Sequence, residues 1–234
     1  MRTVIIPTVN EEANIGRLIP LIFRYLGEEN TSIIVVDDSS TDATRNVVRN
    51  LEAEFNVHLL SRGLKLGISS AVRQGAKRAN KGHVAVMDAD FSHHPRHLPA
   101  MFEKLDEGYD VVIGSRYIPG GGVTGWPGYR FAISRGATAI AKALFKMPVK
   151  DPLSGFIAVN SRNVLTDNIK SPGSKFMLEV IISNNDLRYA EIPINFLNRR
   201  RGESKMSVKL MLFYMAMVGR AFLKKNGKMK RFLK

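Results

Sequence analysis

Short apolar runs of strand length alternate along the chain with longer segments whose apolar residues recur at helical spacing. Residues 3–6, 32–36, 57–60, 83–87 and 110–114 read as buried strands. Between them, 12–26, 42–54, 67–79 and 96–107 read as helices, with Ser40 or Thr41 as the N-cap of the second. The alternation predicts the α/β class: one Rossmann-like domain with a mainly parallel central sheet flanked by helices. After Gly114 the pattern breaks. Pro119-Gly120-Gly121-Gly122 and Gly125-Trp126-Pro127-Gly128 bracket a stretch expected to be a mobile loop, neither strand nor helix. Residues 131–145 then read as an Ala-rich helix, followed by a further strand and helix and a basic end. Ligands of open parallel sheets gather at the carboxyl ends of strands. Asp37 and Asp38, Asp88 and Asp90, and Arg116 all follow predicted strands.

Composition changes this picture little. With 44% apolar and 24% charged residues the chain is ordinary globular material, and the absence of cysteine excludes disulfides, thiolate zinc sites and cysteine nucleophiles. Charge changes it more. Of the net +14, +11 lies in residues 199–234, which hold 12 Lys or Arg and one acid, Glu203. A nearly neutral body carries no nucleic-acid footprint, and no nucleic-acid partner is expected; an anionic surface met by one end fits better. Met206, Leu210, Phe213, Met217 and Leu223 fall on helical spacing beside Lys209, Arg220, Lys224 and Lys225. That pattern reads as a C-terminal amphipathic helix at a membrane interface, over residues 206–234, or as a core helix with a solvated basic end. Its apolar stretch, 210–219, would extend about 15 Å as a helix, against a hydrocarbon core of about 30 Å. The N-terminus runs straight into a strand without a signal-peptide pattern. The expectation is therefore a peripheral protein on the cytoplasmic side of a membrane, lying on its surface, held by a partner subunit, or both.

Candidate chemistry sits at the strand ends. Asp88-Ala89-Asp90 follows a buried strand, and a bend there lets both carboxylates reach one centre. Two such like charges are unfavourable unless a hard divalent cation lies between them. His93 and His94 follow directly, but adjacent imidazoles rarely converge on one tetrahedral metal. Val36-Asp37-Asp38-Ser39-Ser40-Thr41-Asp42 is an acidic, hydroxyl-rich turn that can accept hydrogen bonds from a base or ribose, or can serve as a helix cap. Neither GxGxxG nor GxxxxGK[ST] is present, which removes most support for hydride-transfer and ATPase readings.

The motifs PTVNEE, VVDDSSTD, DADFSHHP, GSRY before a Gly-rich loop, DPLSGF and RRRGESK occur in that order. Together they resemble family 2 glycosyltransferases, most of all the dolichyl-phosphate (polyprenyl-phosphate) mannose synthases, over nearly the whole chain, from about Val4 to Lys205, with residues 1–205 as the catalytic domain. The resemblance implies a nucleotide-sugar-binding domain of the GT-A type. It implies donor contacts from Pro7, Val9, Glu11, Asp37, Asp38, Lys65 and Gly67. It implies a Mg²⁺ or Mn²⁺ held by Asp88 and Asp90 against the donor diphosphate; Ser92 stands where some members place a third metal contact, Gln. Arg116, Arg130 and Ser134 would receive the acceptor phosphate, and Arg199 and Lys205 would form a basic segment over the site. Asp90, Arg116, Arg130 and Ser134 are the catalytic candidates.

Elementary chemistry supports the acceptor assignment. Arg130 and Ser134 are four apart and share a helix face, and two guanidiniums with a hydroxyl make an anion site. A phosphate monoester, with a second pKa of about 6, is already a nucleophilic anion at pH 7 and needs no general base. The expected reaction is inverting transfer of mannose from GDP-mannose to dolichyl or polyprenyl phosphate. Two alternatives stay open: a UDP-glucose donor, and a non-catalytic nucleotide-sugar-binding subunit of a membrane complex.

Overall fold

The structure, a computed structural model, describes residues 1–145, 147–169, 176–184 and 186–198. Its first half alternates strand and helix: β1 (Arg2–Thr8), α1 (Glu12–Leu26), β2 (Thr31–Asp37), α2 (Thr44–Leu51), β3 (Val57–Ser61), α3 (Ile68–Arg78) and β4 (His83–Val86). A 3-10 turn (Pro95–His97) leads into α4 (Leu98–Asp106), β5 (Val111–Ser115), β6 (Gly122–Thr124) and α5 (Gly128–Phe145). Then come β7 (Ile157–Val159), α6 (Arg162–Asn168), α7 (Phe176–Ser183), β8 (Tyr189–Pro193) and β9 (Asn195–Leu197).

Seven strands form one sheet in the order β3-β2-β1-β4-β7-β5-β8. All neighbours are parallel except β7, which lies antiparallel between β4 and β5. The runs on β1 and β2 are apolar without interruption because both faces of the sheet are covered. Strand alternation then sorts them. Ile5, Ile34 and Val36 face the layer containing α3 and α5 to α7, while Val4, Ile6, Ile33 and Val35 face α1, α2 and α4. Burying each such side chain contributes about 1.5–3 kcal/mol, and both layers draw on every central strand.

Two expectations need correction. The Gly/Pro-rich stretch contains a strand: β6 pairs in parallel with β9, Gly122 opposite Asn195. Gly121 makes the fold-back possible, since a Cβ there would lie 2.5 Å from the Ser115 carbonyl oxygen. Second, neither Ser40 nor Thr41 caps α2. The helix starts at Thr44, and the Asp42 carboxylate accepts the Thr44 N–H at 3.0 Å. Ser40 Oγ instead accepts from the Asn10 backbone at 2.9 Å. The basic segment with Arg199 and Lys205, and the amphipathic tail of residues 206–234, lie outside the described residues.

Candidate active site

Strand order reverses at β1, whose neighbours are β2 on one side and β4 on the other. The loops leaving these three strands open a crevice at their carboxyl ends, the place where doubly wound sheets bind ligands. Three of its residues, Asn10, Ser39 and Phe91, hold positive φ angles of 57°, 68° and 61° without being glycine. Such backbone costs energy and persists where its surroundings hold it.

The surroundings here are hydrogen bonds between loops. Asn10 Oδ1 accepts the Thr41 N–H at 2.8 Å, and the Glu11 N–H donates to Thr44 Oγ1 at 2.8 Å. Glu12 Oε2 accepts the Ala43 N–H at 2.7 Å. The loop carrying Pro7, Val9 and Glu11 is thereby stitched to the one carrying Asp37 and Asp38.

Asp37 is fully buried and accepts the Ser40 N–H, with Arg45 Nε 3.6 Å away. Asp38 points to the next loop. Its oxygens take the N–H groups of Leu66 (2.9 Å) and Gly67 (2.8 Å) and an ion pair with Arg62 at 2.7 Å, both partners buried. Arg62 also donates to Ser70 Oγ at 2.9 Å. Asp38 thus anchors residues 62–67, the loop that carries the exposed Lys65 and the half-buried Gly67 (φ 84°), both expected from the sequence to touch the donor. Arg62→Met is expected to raise the KM for the donor on the order of tenfold while kcat stays within about threefold. Steady-state kinetics with varied donor checks this; an unchanged KM would detach the loop from donor binding.

Asp88 and Asp90 stand just beyond β4. The Asp88 side chain is 33% exposed, while Asp90 is buried and its Oδ1 accepts both the N–H and the hydroxyl of Ser92. No group of three or more His, Cys, Asp or Glu able to hold a metal occurs among the described residues. Two carboxylates, one open to solvent, are a poor closed cage. They fit a Mg²⁺-like ion that completes its shell with water and substrate phosphate.

His93 is buried beneath this pair. Its Nδ1 accepts the Asp88 N–H at 3.2 Å, and its ring stacks on Phe156 at 4.9 Å. Burial pushes the imidazole below its ordinary pKa against the pull of Asp88 and Asp90, so it sits neutral with its proton on Nε2. The neighbouring His94 turns elsewhere and accepts the Arg96 N–H at 3.1 Å.

The basic half stands on the other side of β7. Arg116, at the end of β5, is buried and donates Nε and Nη2 to the two oxygens of Asp151, each at 2.7 Å. Burial works against its charge, and the hydrogen bonds and charge of Asp151 more than offset this, holding its pKa above the ordinary value. Its guanidinium lies 5.0 Å from the ring centre of Tyr117, 5.5 Å from Trp126 and 5.7 Å from Phe196. Arg130, in the first turn of α5, stacks over Trp126 at 4.4 Å and donates to Asn198 Oδ1 at 2.9 Å. Ser134 Oγ accepts the Tyr117 hydroxyl at 2.7 Å. Arg116, Arg130 and Ser134 are therefore gathered around one aromatic cluster of Tyr117, Trp126 and Phe196.

The sequence reading missed Asp151, His93, Trp126, Phe196 and Asn198 as parts of the site. Asp151 and Phe156 belong to the DPLSGF motif, whose Ser154 hydroxyl donates to the Gly114 carbonyl at 2.7 Å. An acid within an apolar stretch was the available signal for Asp151. Phe196 and Asn198 carried none.

A mainly parallel sheet with paired acids at its switch point defines the class of nucleotide-sugar glycosyltransferase folds of the GT-A type. The comparisons agree. Residues 3–167 match Glycosyl transferase family 2, and the chain belongs to that family. It is 38% identical to a dolichol-phosphate mannosyltransferase of Pyrococcus furiosus, over 99% of this chain and 66% of that one. It thus spans just under two thirds of that relative's length. A Saccharomyces cerevisiae protein of the same name is 34% identical, over 96% of this chain and 88% of its own. Among solved structures, glucosyl-3-phosphoglycerate synthase from Mycobacterium tuberculosis, in complex with Mn²⁺, UDP and glucosyl-3-phosphoglycerate, shares the fold. Its TM-score is 0.71 at 23% identity, covering 97% of this chain and 80% of that one.

Proposed function

We propose that this chain transfers a mannosyl residue from GDP-mannose to the phosphate of a dolichyl or polyprenyl lipid, inverting the anomeric centre. One observation carries the reading: a carboxylate pair suited to a divalent cation and a guanidinium pair suited to a phosphate flank the same sheet end. The relatives named dolichol-phosphate mannosyltransferase, 33–38% identical, support the choice of sugar and acceptor.

The residues divide the work. Pro7, Val9, Glu11, Asp37 and the loop anchored by Asp38 hold the base and ribose. Asp88 and Asp90 would hold Mg²⁺ or Mn²⁺, and the ion would supply electrostatic stabilisation of a diphosphate leaving group. Arg116 and Arg130 neutralise and orient the acceptor phosphate, with Ser134 beside them. A phosphate oxygen forms its bond to the anomeric carbon as the bond to the diphosphate oxygen breaks, and GDP leaves with that electron pair. No proton need be removed from the nucleophile at pH 7, which is why no His–carboxylate dyad is required. No helix of the described residues is long and apolar enough to cross a membrane. The basic residues 199–234 would meet the anionic surface that presents the lipid, alone or with an anchoring subunit.

The test is transfer of label from GDP-mannose into an organic-extractable polyprenyl phosphate with Mg²⁺ or Mn²⁺. The expected product is the lipid-linked mannose, with UDP-glucose at least about a hundredfold poorer as donor. Equal use of UDP-glucose would overturn the sugar assignment, and no transfer under any metal and lipid would overturn the enzyme.

A further inference from the structure

The carboxylate half and the guanidinium half of the site come from separate stretches of chain, yet in-line attack needs them in fixed relative position. A two-stranded ribbon links them. Such ribbons are marginal on their own, and β9 is three residues long. Even so, it holds contacts on both sides.

Toward the carboxylates, the Leu197 N–H donates to the Ser92 carbonyl at 3.2 Å, within the loop that carries Asp90. The Phe196 ring meets His93 edge-on at 5.3 Å, and His93 in turn holds the Asp88 N–H. Toward the guanidiniums, the same ring meets Trp126 edge-on at 5.4 Å and lies under Arg116 at 5.7 Å. Backbone bonds reinforce this: Ile194 N–H to Ser115 O at 3.0 Å and Asn198 N–H to Thr124 O at 2.9 Å. One side chain thus touches a group that fixes each half.

We propose that Phe196 is a positioning residue that sets the register between the donor-metal loop at Asp88–Ser92 and the acceptor guanidiniums Arg116 and Arg130. It touches neither substrate in this role. The inference rests on the proposed function for what the two halves bind, and it adds the element that spaces them. Because each half keeps its own ligands when the ring is shortened, binding to either should survive while chemistry suffers. A displacement of about 1 Å between reacting groups is enough to cost on the order of a hundredfold in rate.

The experiment uses the full chain with Phe196→Leu, Phe196→Met, Phe196→Tyr and, as a control, Asp90→Ala. Mn²⁺ binding in the presence of GDP is read by electron paramagnetic resonance, alongside kcat, the acceptor KM and the thermal midpoint. For the Leu and Met variants we expect Mn²⁺–GDP affinity and acceptor KM within about threefold of wild type and kcat lower by about a hundredfold. Phe196→Tyr, which keeps the ring, recovers kcat to within about fivefold. Wild-type kcat in the Leu and Met variants overturns the proposal. So does a loss of binding, kcat and thermal stability together, or failure of both variants to fold, since either assigns the ring to packing alone. The control separates the two readings. If Asp90→Ala still binds Mn²⁺, the site itself is misassigned; if it loses Mn²⁺ while Phe196→Leu turns over normally, only the register role fails.

Discussion

Asp90→Ala is expected to lower transfer by at least about a thousandfold while leaving the chain folded without metal. A bound cation acting on a departing diphosphate stabilises the transition state by several kcal/mol, and about 4 kcal/mol corresponds to a factor on the order of 10³. The stability half of the prediction follows from the electrostatics. Without metal, Asp88 and Asp90 repel each other across one short loop, so removing one charge relieves the metal-free protein. For Asp90→Asn the thermal midpoint without ligand should therefore hold or rise slightly, whereas Asp90→Ala also forfeits the two hydrogen bonds from Ser92 and should fall somewhat. Wild type should gain stability when Mn²⁺ and GDP are added together, as any ligand that binds only the folded state requires, and the variant should not. Asp90→Asn is the sharper probe, because it keeps an oxygen for the Ser92 N–H and hydroxyl to approach and loses only the charge. Transfer near wild type in either variant would remove the metal from the carboxylate pair.

Much of this site was readable from the residues alone, for a physical reason. Strands covered on both faces must be apolar throughout, so β1, β2, β4 and β5 stood out, and the acids at their ends stood out against them. Helix α1 runs from Glu12 to Leu26, the span its periodicity predicts, because Ile15, Leu18, Ile19 and Ile22 form one buried stripe. What escaped was nonlocal. β6 and β9 have three residues each and pair across some 70 positions, too short for any period to register. Their existence depends on Gly121 fitting against Ser115 and on Phe196 finding Trp126, neither of which a linear pattern records. Likewise a lone Arg116 at a strand end reads as a free cation until the fold brings Asp151 beside it. The individual donor and acceptor roles came from resemblance, since an acidic turn such as Asp37-Asp38 serves equally well as a cap.

That buried pair is where the second large effect is expected. Arg116 and Asp151 are 8% and 0% exposed at the side chain and meet in a two-point contact, with the Arg116 N–H giving Asp151 a third hydrogen bond at 3.0 Å. Replacing one member leaves the other charge without a counterion in a poorly solvated place, at a cost of about 3–5 kcal/mol. Asp151→Ala should therefore lower the urea midpoint sharply and, by releasing the guanidinium from its aromatic setting, depress transfer as well. Activity loss in that variant alone would be ambiguous between unfolding and chemistry. The double variant Arg116→Met with Asp151→Leu resolves it, because apolar residues of similar volume often restore the stability of a buried ion pair. Its urea midpoint should return most of the way to wild type. Transfer should stay lower by about a hundredfold or more, the size of effect seen when one preorganised donor is removed from a developing or bound anion. Recovery of both stability and transfer would mean that Arg116 is a structural charge and that the acceptor phosphate is held by Arg130 and its neighbours without it.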